Sequence, residues 1–229
     1  MIDRRTVVHS SGPHRVNRAI VGVAVVVALA AASCGSDEPS TSVAETATPA
    51  TSPATPASGD SASTVDDAAF VSDMAAIQSA VTAWGDATSI DDATVAAETA
   101  ANLVVGPNGP GYGDRNADGV VSGETDVGLL SGIDGTPEGI AVPLATNECM
   151  TRDVLGATAD DVAAGWAEMD AAIAAWTPDN NTMPSLASHP MRIVGWATFT
   201  IASDSLDVAH EYAGHAQLHV DVALDALDC

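Results

Sequence analysis

Side chains that carry oxygen atoms alternate along the glycine-rich segment 106–132, at Asp114, Asn116 and Asp118. Gly119 follows directly, and a glycine permits the tight turn that brings alternate side chains toward one point. Calcium prefers carboxylate, amide and carbonyl oxygens in such an arrangement. Without a cation, carboxylates held this close together would repel one another. The spacing therefore predicts a calcium site in this segment.

The segment resembles the first half of the EF-hand calcium loop, with Asp114 at position 1. Position 7 of that loop provides a backbone carbonyl, and position 9 binds the ion directly or through water. These positions are Val120 and Ser122 here. The later pair Leu129-Leu130 is similar to the dockerin variant of the loop. A dockerin needs two such loops and this chain has one, so we do not expect it to bind a cohesin.

The second half of the loop departs from the family pattern. Position 12 of an EF-hand loop is normally a glutamate that binds calcium through both oxygens, whereas here it is Thr125. Acids lie on either side, at Glu124 and Asp126. A one-residue bulge would bring either of them into the site. The alternative is an acidic, glycine-rich turn that binds no ion.

A longer stretch around the loop resembles a unit of uncharacterised exported bacterial proteins. The matching residues are a helix end at Asn102–Gly106, Tyr112–Asp114, Asp118-Gly119 and Gly128–Leu130. The resemblance covers about 30 residues. It implies a recurring structural unit, and it brings no known activity.

A second group of candidate ligands lies near the C-terminus, where Glu211, His215 and His219 follow at intervals of four residues. On a helix this spacing makes one row. Such a row can bind a transition metal or serve a haem. The triplet His189-Pro190-Met191 would add soft ligands for copper. In the alternative, Glu211 supports His215 through an ion pair, and His219 is an ordinary core histidine.

The motifs of common enzyme classes are absent from the sequence. It has no Gly-x-Ser-x-Gly, no P-loop, no dinucleotide-binding glycine motif and no Cys-x-x-Cys. His210-Glu211 does not complete a zinc-protease motif, because the second histidine comes one residue late at His215. We therefore expect a non-catalytic binding module, and no catalytic residue is proposed.

The N-terminus has the features of an export signal. Arginines precede an apolar run of 14 residues, Ala19–Ala32, which is short for a membrane span and typical of a signal peptide. Small residues followed by Cys34 resemble the bacterial lipobox, although Ala31 replaces the usual leucine. The resemblance implies a signal peptide over 1–33, a lipid such as palmitate on Cys34, and anchoring to the outer face of the cell membrane. The alternatives are a plain secretory signal or an uncleaved anchor.

Residues 34–64 are rich in Ser, Thr, Pro and Ala, and this composition predicts a disordered tether. The whole chain has a formal net charge of −24, and all seven of its basic residues are arginines. Clustered cations are needed to bind phosphate, so nucleic acid is excluded as a partner. The expected contacts are the membrane, through the lipid, and an unknown partner in the cell envelope.

Residues 65–229 are predicted to form an all-α domain. Apolar residues recur at helical spacing in four segments, which favours a four-helix bundle with a long irregular loop between helices two and three. The predicted helices cover 65–84, 91–105, 162–176 and 204–227. The stretch Met191–Ala202 fits a strand or a helix, and we expect a helix because no partner strand is evident.

Two cysteines remain once Cys34 is assigned to the lipid. Cys149 precedes the third predicted helix, and Cys229 is the last residue. Exported proteins face an oxidising environment, so the pair is predicted to form a disulfide. Two free thiols are the alternative.

Overall fold

A computed structural model describes residues 63–156 and 161–229, with side chains from Val65 onward. These residues form five α-helices and no strand: α1 Ser63–Gly85, α2 Ile90–Val105, α3 Val162–Ala175, α4 His189–Ile201 and α5 Leu206–Asp225. Short helical turns cover Val142–Leu144, Met150–Leu155 and Met183–Ser185. The all-α prediction is confirmed. The predicted signal peptide, Cys34 and most of the tether lie outside the described residues.

Helix boundaries follow the side chains that cap them. Asp161 begins α3, since its carboxylate accepts a hydrogen bond from the backbone N–H of Ala164. Ser205 caps α5, because its hydroxyl accepts a hydrogen bond from the backbone N–H of Val208. In each case a side-chain oxygen satisfies an N–H group that the first turn of a helix leaves unpaired.

Four of the helices surround a shared core. α1 packs on α2, α2 on α4, α4 on α5, and α5 on α1, while α3 packs on α4. The ambiguous segment Met191–Ala202 is therefore helical, and as α4 it takes the place that the sequence had given to α3. The apolar stripe predicted on the first helix faces this core with 0–1% exposure: Phe70, Met74, Ile77, Val81 and Trp84.

The disulfide between Cys149 and Cys229 is present, with the two Cα atoms 6.0 Å apart. It joins residues 80 positions apart and ties the end of the chain after α5 to the connection that precedes α3. Closing so long a loop in the unfolded chain is worth about 4–5 kcal/mol in the chain-entropy model. The predicted pairing is confirmed.

Within the described residues, no helix combines the length and the apolar character that crossing a membrane requires.

Candidate functional site

The glycine-rich loop after α2 is held by Glu98, an acid on α2 whose side chain is fully buried. One carboxylate oxygen of Glu98 accepts hydrogen bonds from the backbone N–H groups of Arg115 and Asn116, at 2.8 and 2.9 Å. The other oxygen accepts the backbone N–H of Ser122 at 2.7 Å. A buried carboxylate is costly unless its oxygens are paired. The three N–H groups offset that cost and draw the loop onto the helix.

Asn102, one helical turn after Glu98, holds the same loop and is also fully buried. Its amide nitrogen donates to the carbonyls of Gly113 and Ser122, at 2.9 and 2.7 Å. Its oxygen accepts from the backbone N–H of Gly113 and from Nε of Arg115, at 3.2 and 3.1 Å. These four bonds use the full capacity of an asparagine side chain. Glu98 and Asn102 together therefore hold the loop by hydrogen bonds at Gly113, at Arg115-Asn116 and at Ser122.

The predicted calcium ligands of the first half of the loop lie on one tight turn. The carboxylate oxygens of Asp114 accept the backbone N–H groups of Asp118 and Gly119, at 3.1 and 2.9 Å. Asn116 Oδ1 accepts the same N–H of Asp118, and Asn116 Nδ2 donates to Asp118 Oδ2 at 3.1 Å. Asp118 in turn accepts the N–H of Val120 at 2.8 Å. The side chains at positions 1, 3 and 5 are thus brought together.

The second half of the loop is closed by a tyrosine rather than by an acid. The hydroxyl of Tyr112 accepts the backbone N–H of Thr125 at 3.1 Å and donates to its carbonyl at 3.2 Å. The Thr125 hydroxyl donates to the carbonyl of Val127. The flanking acids Glu124 and Asp126 are both exposed, and neither makes a side-chain hydrogen bond to the Asp114–Asp118 turn.

Gly106 and Gly128 allow the loop to return to the end of α2. Gly106 has a φ of +60°, and a Cβ on it would lie 2.2 Å from the backbone nitrogen of Gly128. No side chain fits in that space. The contact lets Leu129 and Leu130 donate backbone hydrogen bonds of 3.0 Å to carbonyls in the last turn of α2. Both leucines are buried, so the pattern noted in the sequence serves to seal the loop.

Arg115 is the cation inside the loop. Burial lowers the pKa of Arg115 to about 10, and the charge of Glu98 acts in the opposite direction. Its guanidinium also donates to the carbonyl of Pro110 at 2.8 Å. The positive charge of Arg115 therefore offsets the negative charge of the buried Glu98 carboxylate. Its guanidinium also fixes the start of the loop at Pro110.

The predicted row of Glu211, His215 and His219 does not meet at one point. His219 contacts His189 at the start of α4, with the two Nδ1 atoms 3.1 Å apart. His215 stacks on the indole ring of Trp196, with centroids 4.4 Å apart and planes 14° apart. Glu211 is exposed and lines a pocket beside His215. His219 and His215 share one face of α5, but they contact different parts of α4.

Burial lowers the pKa of both His189 and His219 below the usual histidine value, which favours the neutral imidazoles. The pKa of His219 falls to about 3, chiefly through burial and then through the charges of His189, Arg192 and His215. Burial also lowers the pKa of His189, with Arg192 adding to the effect and Asp153 opposing it. A neutral imidazole has a free lone pair, which is the form that binds metal.

An aromatic cluster covers the outer side of α4 and α5. Trp176, just after α3, stacks on Phe199 with centroids 4.3 Å apart. It stands nearly perpendicular to Trp196 and to Tyr212, at centroid distances of 5.9 and 5.8 Å. A pocket of about 290 Å³ lies against this cluster. These residues come from three segments that only the tertiary structure brings together, so their spacing in the sequence does not indicate a shared cluster.

Across residues 63–156 and 161–229, no three histidine, cysteine, aspartate or glutamate side chains are placed to hold one metal ion together. The turn at Asp114, Asn116 and Asp118 combines two carboxylates with an amide, so it is a different kind of group. In comparisons with known proteins, no family model, curated protein or solved structure matches this chain.

The roles of two residues, Glu98 and His189, were not predicted from the sequence. Glu98 was not considered, although it lies four residues before Asn102 on the same helix face. That spacing, in a helix otherwise rich in alanine, was the available signal. His189 was noted only as a soft-metal triplet, and its contact with His219 depends on how α4 and α5 pack.

Proposed function

We propose that the chain is a non-catalytic binding module of the cell envelope whose loop 106–132 is stabilised by calcium. The observation that carries the proposal is the grip of Glu98 and Asn102 on the loop. Both side chains are buried, and the turn that they hold brings Asp114, Asn116 and Asp118 together. The surrounding helices α1, α2, α4 and α5 are proposed to form a four-helix bundle, which their cyclic order of packing supports.

The proposed calcium ligands are side chains of the first half of the loop, the carbonyl of Val120 and Ser122. Ser122 is held through its backbone by both Glu98 and Asn102, which leaves its hydroxyl to the ion or to a bridging water. Glu124 or Asp126 completes the set of calcium ligands after a small movement of the chain. Both flank Thr125, and both are exposed, so their side chains are free to reorient. Calcium sites with few carboxylates and an adaptable last ligand are weak. We expect an affinity typical of extracellular modules.

The test is a calcium titration of the full chain in detergent, followed by thermal unfolding with calcium or chelator. Calcium at 100 times its dissociation constant adds about 2.7 kcal/mol to the free energy of unfolding. We expect that gain to disappear in Asp118→Asn. Asp170→Asn on α3 is the matched control, because Asp170 is exposed and outside the loop. A titration without saturation, or an equal response of both variants, overturns the calcium site.

The proposed location is the outer face of the membrane, with Cys34 as the lipidated residue and 34–64 as the tether. The support is the apolar run Ala19–Ala32 followed by small residues and Cys34. Labelled palmitate should be incorporated into the full chain and not into Cys34→Ser. Equal labelling of both, or none in either, contradicts the anchor.

We propose as a second candidate function that a transition metal binds between His189 and His219. Two imidazole nitrogens 3.1 Å apart can both reach an ion at the usual zinc–nitrogen distance of about 2.0–2.1 Å. A haem would have to separate the two rings, so their contact favours a bare ion over haem. Glu211 and His215 then take no part in the site.

Zinc or copper titration of the full chain tests the second candidate. We expect one ion per chain, and loss of the site in His219→Gln. His210→Gln is the control, because His210 lies on the same helix and contacts the carbonyl of Ala87 instead. Equal binding by both variants contradicts this site.

A further inference from the structure

The pocket beside the aromatic cluster has two walls at a steep angle to each other. Trp176 is inclined by 83° to Trp196 and by 85° to Tyr212, while Trp196 and Tyr212 are inclined by only 32°. Tyr212 therefore forms one wall and Trp176 the other, while Trp196 is 3% exposed and has His215 stacked on one face. The volume of about 290 Å³ is at the lower end of ligand pockets, which run from roughly 300 to 1,000 Å³. The shape suits a small molecule.

The electrostatic character of this pocket is negative. The face of an aromatic ring carries a negative quadrupole, and two indoles and a phenol line the space. Glu211 lines the same pocket. Burial raises the pKa of the Tyr212 hydroxyl, and the charge of Glu211 adds to the effect. None of the three arginines in the described residues lines the pocket, and the chain as a whole has a net charge of −24.

We propose that this pocket binds a small organic cation of the quaternary or methylated ammonium class. Such a cation donates fewer hydrogen bonds than a primary ammonium does, and the aromatic rings of Trp176 and Tyr212 replace its hydration. Glu211 provides the opposite charge at the rim. A neutral apolar ligand would gain nothing from that carboxylate.

This inference rests on the proposal that the chain is a binding module, and it names the class of ligand. It uses no residue of the calcium loop, because the pocket belongs to α4, α5 and the end of α3. It also gives Glu211 and His215 a role that differs from metal binding. His215 also lines the pocket, and it stacks on the indole ring of Trp196.

The test is a titration of the full chain in detergent with choline chloride, followed by calorimetry and by tryptophan fluorescence. Two of the four tryptophans line the pocket, so we expect saturable quenching. The matched probe is 3,3-dimethylbutan-1-ol, in which carbon replaces the charged nitrogen. It should bind at least about tenfold more weakly, since only the cation interacts with the ring quadrupoles. No saturation with choline, or equal binding of the neutral probe, overturns the proposal.

Variants identify the residues responsible. Glu211→Gln should weaken choline binding about two- to fivefold, because a rim carboxylate adds a modest charge attraction. Asp225→Asn is its control, since Asp225 is exposed on the same helix and about 21 Å farther along it. Trp176→Leu keeps an apolar side chain without a π face, and it should weaken binding at least about tenfold. Equal affinities in Glu211→Gln and Asp225→Asn contradict the role of Glu211.

Two further measurements keep the outcome clear. If Trp176→Leu lowers the unfolding temperature sharply, Trp176→Phe retains the packing, and the weaker face of phenylalanine should still reduce the affinity; an unchanged affinity contradicts the cage. The choline titration is then repeated after chelation of calcium. If choline binds and calcium has no effect on stability, the proposal for the pocket stands and the proposal for the calcium site is contradicted. A calcium effect without choline binding does the reverse.

Discussion

Replacing Glu98 by glutamine tests whether the buried carboxylate holds the loop. The substitution keeps the size of the side chain and converts one oxygen into an NH₂ group that cannot accept a hydrogen bond. The three backbone N–H groups of Arg115, Asn116 and Ser122 all point at this carboxylate. In the better orientation the amide oxygen keeps the first two, and the NH₂ group then faces the N–H of Ser122.

The cost follows from these contacts. A hydrogen bond to a charged group contributes about 1.5–3 kcal/mol, and a buried donor left without a partner costs about 1–3 kcal/mol. The two bonds that remain become weaker, because their acceptor is now neutral. Arg115 also loses the charge that offsets its burial. We expect Glu98→Gln to lower the free energy of unfolding by about 3 kcal/mol, which in a domain of this size is roughly 6–12 °C in unfolding temperature.

Urea unfolding and amide hydrogen exchange of the full chain measure this effect. Glu168→Gln is the control, because Glu168 is exposed on α3, and an exposed substitution should change stability by less than about 0.5 kcal/mol. In Glu98→Gln the amides of Arg115, Asn116 and Ser122 should exchange faster, while those in α5 keep their relative protection. Equal stability of the two variants, or unchanged exchange at those three amides, would refute the reasoning.

Three other predictions concern the shifted pKa values of Asp73 and His219 and the disulfide. Burial raises the pKa of Asp73 from 3.8 to about 7, so folding favours the neutral acid: the contribution to stability is full below pH 4 and is lost as pH rises through 7. Asp73→Asn should therefore be more stable than the parent at pH 8, by up to about 4 kcal/mol. Urea unfolding should show a smaller gain of about 1.6 kcal/mol at pH 5, where the acid is already ionised in the unfolded chain and still neutral in the folded one. The pKa of His219 falls from 6.5 to about 3, so its contribution is present above pH 6.5 and is lost as pH falls toward 3. His219→Gln should flatten that acid-side loss in a series of unfolding curves; an unchanged slope speaks against the buried neutral imidazole. Replacing Cys149 and Cys229 together by serine should lower the unfolding free energy by about 2–5 kcal/mol in non-reducing buffer, and a reducing agent should lower only the parent.

Much of the helical structure was predictable because it depends on neighbours in the chain. The stripe from Phe70 to Trp84 has helical spacing, and all five of its residues reach the core. The disulfide also followed from the sequence, since only Cys149 and Cys229 remained to pair. Which helices surround the shared core was less accessible, because the segment that became α4 fits a strand as well as a helix when it is taken alone. Only its packing between α2 and α5 decides the outcome.

The candidate sites divide in the same way. The sequence by itself determined the spacing of Asp114, Asn116 and Asp118, because a tight turn over five residues brings alternate side chains together without help from elsewhere. It also determined that Glu211, His215 and His219 share one face of a helix.

What lies opposite each face was decided by the tertiary structure. Glu98 reaches residues 17 to 24 positions away, and His219 meets a histidine 30 positions away. Helical periodicity gives the direction of a side chain along its own helix, and it carries no information about the neighbour that this direction meets. For that reason one row on α5 meets two different surroundings: His219 contacts His189, while Glu211 and His215 line the pocket beside the aromatic cluster.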